Sequence, residues 1–591
     1  MTTTLTRPDA NPWIEDGQPG GPPPSRNAPP HRKGPGRFLI RHVATEGTLV
    51  FLLTLGIYLV IAILLDFKYH SFLGDAFSRM ANGFYILYSR DRHLAAVGFV
   101  WEPLPSVAAM FFLLGNHFWT ALSHNNFAGS LTSAFSMAGA VYQLRAALRE
   151  WGIARAPRLV LTALFALDPM ILLYSGNGMS EGLYLFTLIA AVRYLLRWLH
   201  AGDLRSLAYS AIALGFSYLT RNEAAAGVIA GGIAVALVSF SRAKGGRWPR
   251  AQSAIADSTI FVIPGVLAAT GWAVISYVIT GSFFGQYSSL YGSSEQEANL
   301  THESLHARIL YEFHAILSMW PLIPLVLVAA IDLATRRRDP RILAPISVLG
   351  GALGFDMLAL LNNNIQPYYR YYIVTIPIEV FLVGSLIAPN PNLTRTTPRG
   401  ARQRPSLGAG RRALRDLASI FLTLALLIPA VVTTAAAMFN PNIGSEELQQ
   451  LAFIFEKHPN AVDALFQYRY AAIVNISTYL DNLHLPNGDI IVDNSADCMP
   501  EIIVTSNQPR LYVIPNNRDF QRELADPLTF HSHFILEPDP ATFPITAMNI
   551  QYPSLWTTGD GFAKDVHKFP SRGTCPAFRL FKVFEHPNQA Q

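Results

Sequence analysis

Apolar runs long enough to cross a membrane recur along this chain, and they decide what it can fold into. The first covers about residues 45–66 (TEGTLVFLLTLGIYLVIAILLD). Others lie near 126–147, 158–175, 182–199, 206–220, 224–240, 259–280, 315–334, 343–361, 372–388 and 417–438. A helix of about 18–20 apolar residues crosses roughly 30 Å of hydrocarbon. Hydrocarbon offers the backbone no hydrogen-bond partners, so each run must be helical. Only 14% of the residues are charged, against about a quarter in soluble proteins. The expectation is an α-helical polytopic membrane protein of about eleven spans, which excludes a soluble enzyme.

Lysine and arginine orient the spans. Residues 1–44, rich in Pro, Gly and Arg, form a tail expected to be disordered and cytoplasmic. Basic residues also cluster near 145–158, 193–205, 242–250, 336–341 and 395–415. The alternate loops carry only Lys68, Arg79, Arg90, Arg92, Arg221, Arg308 and Arg370. The basic side is the cytoplasm, which places residues 67–125 outside as a first outer loop. The apolar stretch 104–122, with Asn116 and His117, reads as an interfacial helix, because a full span there would break the alternation.

Polar residues return from about 439. Two amphipathic segments, Glu446–Lys457 and Gln467–Asn482, precede strand-like GDIIVDN and RLYVIPN, a pattern that predicts a small α/β domain over 439–591. On the same topology this domain is extracytoplasmic. Its two cysteines, Cys498 and Cys575, can there form a disulfide; two free buried thiols are the alternative.

Unusual polar residues gather at the outer ends of the spans. Ionisable groups at membrane depth are costly and tend to be functional. Asp75, after Gly74, is the candidate catalytic carboxylate; its plainer role is an ion pair with Arg79 one turn on. Glu102 in WEPLP is a candidate for binding an acceptor or a solvated rim residue, and Glu181 in YSGNGMSEG is a substrate ligand or a helix cap. Arg221 and Glu223 in LTRNEA bind substrate or form a salt bridge between two spans. Tyr369, Arg370 and Tyr371 in NNNIQPYYRYY suit a phosphate beside a sugar face, or an aromatic belt. His70, His93, His117 and His124 lack metal-ligand spacing, and no metal or other cofactor is expected.

These pieces, in this order, resemble the GT-C glycosyltransferases, multi-span enzymes that use polyprenyl-phosphate-linked sugars. Protein mannosyltransferases, aminoarabinose transferases and actinobacterial arabinosyl- and mannosyltransferases belong there. The resemblance rests on LGDAF in the first outer loop, WEPLP, LTRNEA, GSFFGQYSSLYG, the late RYY and the soluble C-terminal domain. It departs where Asp75 is followed by Ala76 rather than a second acid, and where LTRNEA replaces an Arg-Pro form.

The resemblance implies an inverting transferase at the outer face of the plasma membrane. It would move a hexose or pentose from a polyprenyl-phosphate donor to an envelope glycan, glycolipid or protein. Asp75 would be its base, and Arg221 or Arg370 would face the phosphate. Its partners are donor, acceptor and membrane lipids, and nothing points to nucleic acid. The alternative is a transporter or flippase of a lipid-linked saccharide, which calls for polar residues through both leaflets.

Overall fold

The computed structural model describes residues 36–285, 304–390, 409–455 and 465–587. Outside these lie the tail to residue 35, the basic loop 395–408 and the QYSSLYG end of the 281–292 stretch. The chain forms two units, Met1–Glu46 and Gly47–Gln591.

Helices stand at every stretch where a span is expected. They are α1 (Gly36–Ile63), α5 (Phe127–Glu150), α6 (Arg155–Ala166) with α7 (Pro169–Tyr174), α8 (Glu181–Ala201), α9 (Leu204–Tyr218), α10 (Ala224–Arg242) and α11 (Arg247–Thr280). After these come α12 (Leu305–Met319), α13 (Ile323–Arg337), α14 (Leu343–Leu361), α15 (Thr375–Ile387) and α16 (Ala409–Met438). Among the described residues seven spans are long and apolar enough alone, and the bent pair α12–α13 makes an eighth. The protein is a multi-pass membrane protein.

Two expected spans are broken, each at a proline. The run 158–175 divides before Pro169, where Asp168 caps α7 by accepting from the Met170 amide at 3.0 Å. The run 315–334 bends by 70° between α12 and α13. Trp320, ahead of Pro321, is extended (φ −150°, ψ 97°), as a residue before proline prefers. Elsewhere glycine lets helices close up. A Cβ on Gly227 would stand 2.9 Å from the Val348 carbonyl, and one on Gly351 2.8 Å from that of Ala226. Helices α10 and α14 thus touch backbone to backbone.

The segment 67–125, between the first two expected spans, is a packed structure. It holds α2 (Gly74–Tyr88), α3 (Pro103–Leu113) and α4 (Ala121–His124). Helix α3 has 11 residues, about 16 Å of helix, too short to cross. On α2, Ala76, Phe77, Met80, Ala81 and Phe84 are buried at helical spacing.

Phe77, Met80, Ala81 and Phe84 share one core with the C-terminal domain, while Ala76 packs into the core of the bundle. Helices α17 (Ser445–Phe455) and α18 (Leu465–Asp481) lead into a five-stranded sheet. Its strands are β1 (Ile490–Val492), β2 (Tyr512–Val513), β3 (Phe534–Pro538), β4 (Ala563–Phe569) and β5 (Phe578–Val583), in the order β2-β1-β3-β5-β4. Strand β1 runs parallel to β2 and β3, while β5 is antiparallel to β3 and β4. Ile490 and Val492 face the core shared with Phe77, Met80 and Phe84, and Ile491 faces the opposite core with Val513 and Ile535, the period-two alternation of a strand. Cys498 and Cys575 are joined in a disulfide, Cα atoms 5.6 Å apart.

Candidate active site

Asp75 stands in the first turn of α2, where the helix N-terminus favours a negative charge. Arg370 Nη2 donates to Asp75 Oδ2 at 2.9 Å. Arg370 Nη1 is 3.2 Å from Glu446 Oε2, at the start of α17. Arg79, one turn along α2, places Nη1 3.8 Å from the same Asp75 oxygen and lays its guanidinium over Trp101, 4.1 Å from the ring centre. The Trp101 indole donates to Ser78 Oγ at 3.3 Å. Thus α2, the segment before α15 and the helix after the last span meet at the Arg370 guanidinium.

A second arginine is bound close by. Arg221, in the turn between α9 and α10, donates to Glu181 Oε1 at 2.8 Å and to Glu223 Oε1 at 2.6 and 3.1 Å. The Tyr371 ring joins the two groups, its centre 5.3 Å from the Arg221 guanidinium and 5.5 Å from that of Arg370. Glu102 caps α3 and is buried, and the charges of Glu223, Arg79 and Arg221 all act on it.

Exposure separates the acids. The Asp75 side chain is 34% exposed, against 1% for Glu181 and 10% for Glu223. Burial raises the Asp75 carboxyl, but Arg370 first, then Arg79 and Arg221, outweigh it and hold it below the usual carboxylate range. At neutral pH it is an anion. Burial, then Glu223, pushes Glu102 the other way, up to about 7.

The structure therefore brings together Asp75, Glu102, Glu181, Arg221, Glu223, Arg370 and Tyr371. Tyr369 stands apart from them. It is 1% exposed and accepts from Ser318 Oγ at 3.2 Å, inside the bundle. Residues 369–374 form a 3₁₀ helix, with three residues per turn, so Tyr368 and Tyr371 share a side and Tyr369 turns away. The second ring on Arg370 is Tyr368, at 4.8 Å.

Sequence reasoning also missed Glu446 and its neighbours. Tyr174 donates to Glu447 Oε1 at 2.6 Å, and Asn177 to Gln450 Oε1 at 3.1 Å. Among the described residues no group of three or more His, Cys, Asp or Glu is placed to hold a metal ion. A cavity of about 370 Å³ opens elsewhere, beside Phe51, Phe135, Tyr142 and Phe186, and no candidate site residue lines it.

A bundle of this order, with a structured segment after the first span and a small C-terminal sheet domain, is a fold shared with solved structures. The chain is similar to ArnT from Cupriavidus metallidurans, solved bound to undecaprenyl phosphate and in the apo state. Against the bound form the TM-score is 0.50 at 12% identity, covering 90% of this chain and 97% of ArnT. The apo form gives 0.50 and 12%, over 91% and 98%. The oligosaccharyltransferase AglB from Archaeoglobus fulgidus also matches, at TM-score 0.42 and 12% identity, over 92% of this chain and 74% of AglB. No family model and no curated protein sequence matches the chain.

Proposed function

We propose that the protein is an inverting glycosyltransferase that moves a sugar from a polyprenyl phosphate to an envelope acceptor at the outer face of the plasma membrane. The observation that carries this is the partly exposed Asp75 carboxylate, 2.9 Å from Arg370 and 3.8 Å from Arg79. It pairs a base with cations for a phosphate. The fold shared with ArnT, which binds undecaprenyl phosphate, agrees with it. The orientation follows from the basic loops, with the N-terminus cytoplasmic and the C-terminal domain outside.

In this reading the donor phosphate draws Arg370 and Arg79 away from Asp75, which makes the carboxylate a better base when donor is bound. The acceptor hydroxyl attacks the anomeric carbon from the face opposite the phosphate. Its proton passes to Asp75 as the new glycosidic bond forms. The bond from the anomeric carbon to the phosphate oxygen breaks, and both electrons leave with the polyprenyl phosphate. The arginines stabilise that charge. Tyr368 and Tyr371, on the guanidinium faces, give the sugar an aromatic wall.

The test uses purified protein with polyprenyl-phosphate mannose or arabinose and envelope glycan, glycolipid or peptide acceptors, wild type beside Asp75→Asn. Transfer by the wild type and its loss in a folded variant that still binds undecaprenyl phosphate is the expected result. Full activity in that variant sinks the assignment of Asp75.

A further inference from the structure

Gly74, the residue before Asp75, lies against the C-terminal domain. A Cβ there would stand 3.3 Å from Arg469 Nη2 and 3.7 Å from Asp497 Oδ1. Gly74 is not among the residues with positive φ, so its backbone does not demand glycine. The constraint is the contact: a side chain there would stand tight against Arg469.

Arg469, on α18, is itself held at both terminal nitrogens. Its side chain is 4% exposed, Nη2 lies 2.8 Å from Asp497 Oδ1, and the same nitrogen pairs with buried Glu501. Nη1 donates to Thr574 Oγ1 at 2.9 Å. Asp497 precedes Cys498 and Thr574 precedes Cys575, so the guanidinium ties together the residues flanking both ends of the disulfide. A buried charge cluster is a poor route to stability, since apolar packing commonly does as well or better. This one fits a different task, which is presenting a rigid face to the first turn of α2. The far end of α2 is clasped separately: Arg90 pairs with Asp519 at 2.6 Å and Glu523 at 2.7 Å, and Arg518 with Asp91 at 2.6 Å.

We propose that Arg469 is a positioning residue that sets Asp75 through Gly74, with the Cys498–Cys575 disulfide keeping its anchors together. The C-terminal domain is then the part that aims the base. The functional half of this rests on the reading of Asp75 as the base; the mechanical half does not.

The test compares Gly74→Val, Arg469→Gln, Arg469→Lys and the double variant Gly74→Val/Arg469→Gln in the full chain. Hydrogen exchange at residues 75–82 reads the position of α2, and transfer from polyprenyl-phosphate mannose or arabinose reads its consequence. Gly74→Val and Arg469→Gln should each speed exchange there and lower kcat about 10- to 100-fold, with KM for donor within about two-fold. Arg469→Lys should recover part of the loss. The double variant should be little worse than either single one, because the two residues act through one contact. Unchanged exchange and kcat in Gly74→Val overturns the proposal, even if Arg469→Gln does not fold. Additive losses in a folded double variant overturn it as well. Asp75→Asn, run beside them, separates the two halves. Full activity in that variant defeats the base reading and with it the functional half, while the exchange result still judges the contact.

Discussion

Arg370 and Arg221 each sit between two carboxylates, yet the two groups are built differently. Arg221 is closed: Glu181 and Glu223 are both buried and flank it from the ends of neighbouring spans. Arg370 is open on one side, because Asp75 keeps about a third of its side chain exposed. The same ion-pair chemistry thus serves two ends. A closed group fixes how spans meet, and removing one partner leaves an uncompensated buried charge. An open group can exchange partners, as a phosphate at Arg370 would require.

The sharpest way to break this comparison is to neutralise one acid in each group. Asp75→Asn should lower transfer about 10²- to 10⁴-fold, the range for losing a general base, with a smaller fall in the thermal midpoint than a buried acid gives. Glu181→Gln should do the reverse. About 3–5 kcal/mol of stability should go with it, while protein that remains folded keeps most of its transfer activity per molecule. Activity assays and thermal unfolding of both variants check this, and similar profiles for the two would erase the distinction.

Next in size is a pH effect of opposite sign at Glu102 and Asp75. Burial first, then Glu223, raises Glu102 to about 7. Its stabilising contribution is complete below the ordinary carboxyl range and is lost as pH rises through 7, because over that window the folded protein holds a proton the unfolded chain has released. The whole change is at most about 3 kcal/mol. Asp75, held low, contributes above the ordinary range and loses its contribution as pH falls beneath it. Glu102→Gln should flatten the fall in thermal midpoint from about pH 5 to 8, the window its raised carboxyl sets. An unchanged slope would assign the fall to another group.

How much of this was legible depended on whether the signal was local. Eleven apolar runs mark the helices, and the short apolar runs in GDIIVDN and RLYVIPN mark the first strands, because burial in lipid or in a sheet marks each segment by itself. The breaks at Pro169 and Pro321 were written in the sequence but hidden by apolar residues on both sides. Charge position singled out Asp75, Arg221 and Arg370 as outer-end residues. It did not reveal Glu446. Acids in the first turn of a helix are ordinary, and nothing local says that α17 folds back onto Arg370. Adjacency to Arg370 points to Tyr369, because sequence neighbours do not distinguish faces until the 3₁₀ turn is known.

Tyr371 gives the smallest and most discriminating effect, since its ring lies between the open and the closed arginine. A cation–π contact contributes about 0.5–2 kcal/mol according to its desolvation. Tyr371→Leu keeps bulk and removes the quadrupole, so the donor KM should rise by about two- to thirty-fold, which is that energy read at RT. In an Arg370→Lys background the same substitution should cost less, because the planar partner is gone. In a background where Glu181→Gln has loosened Arg221, it should cost about as much as in wild type. That asymmetry is what an open and a closed group predict. If Tyr371 couples instead to Glu181 and not to Arg370, the donor phosphate belongs at Arg221, and the roles of the two arginines are exchanged.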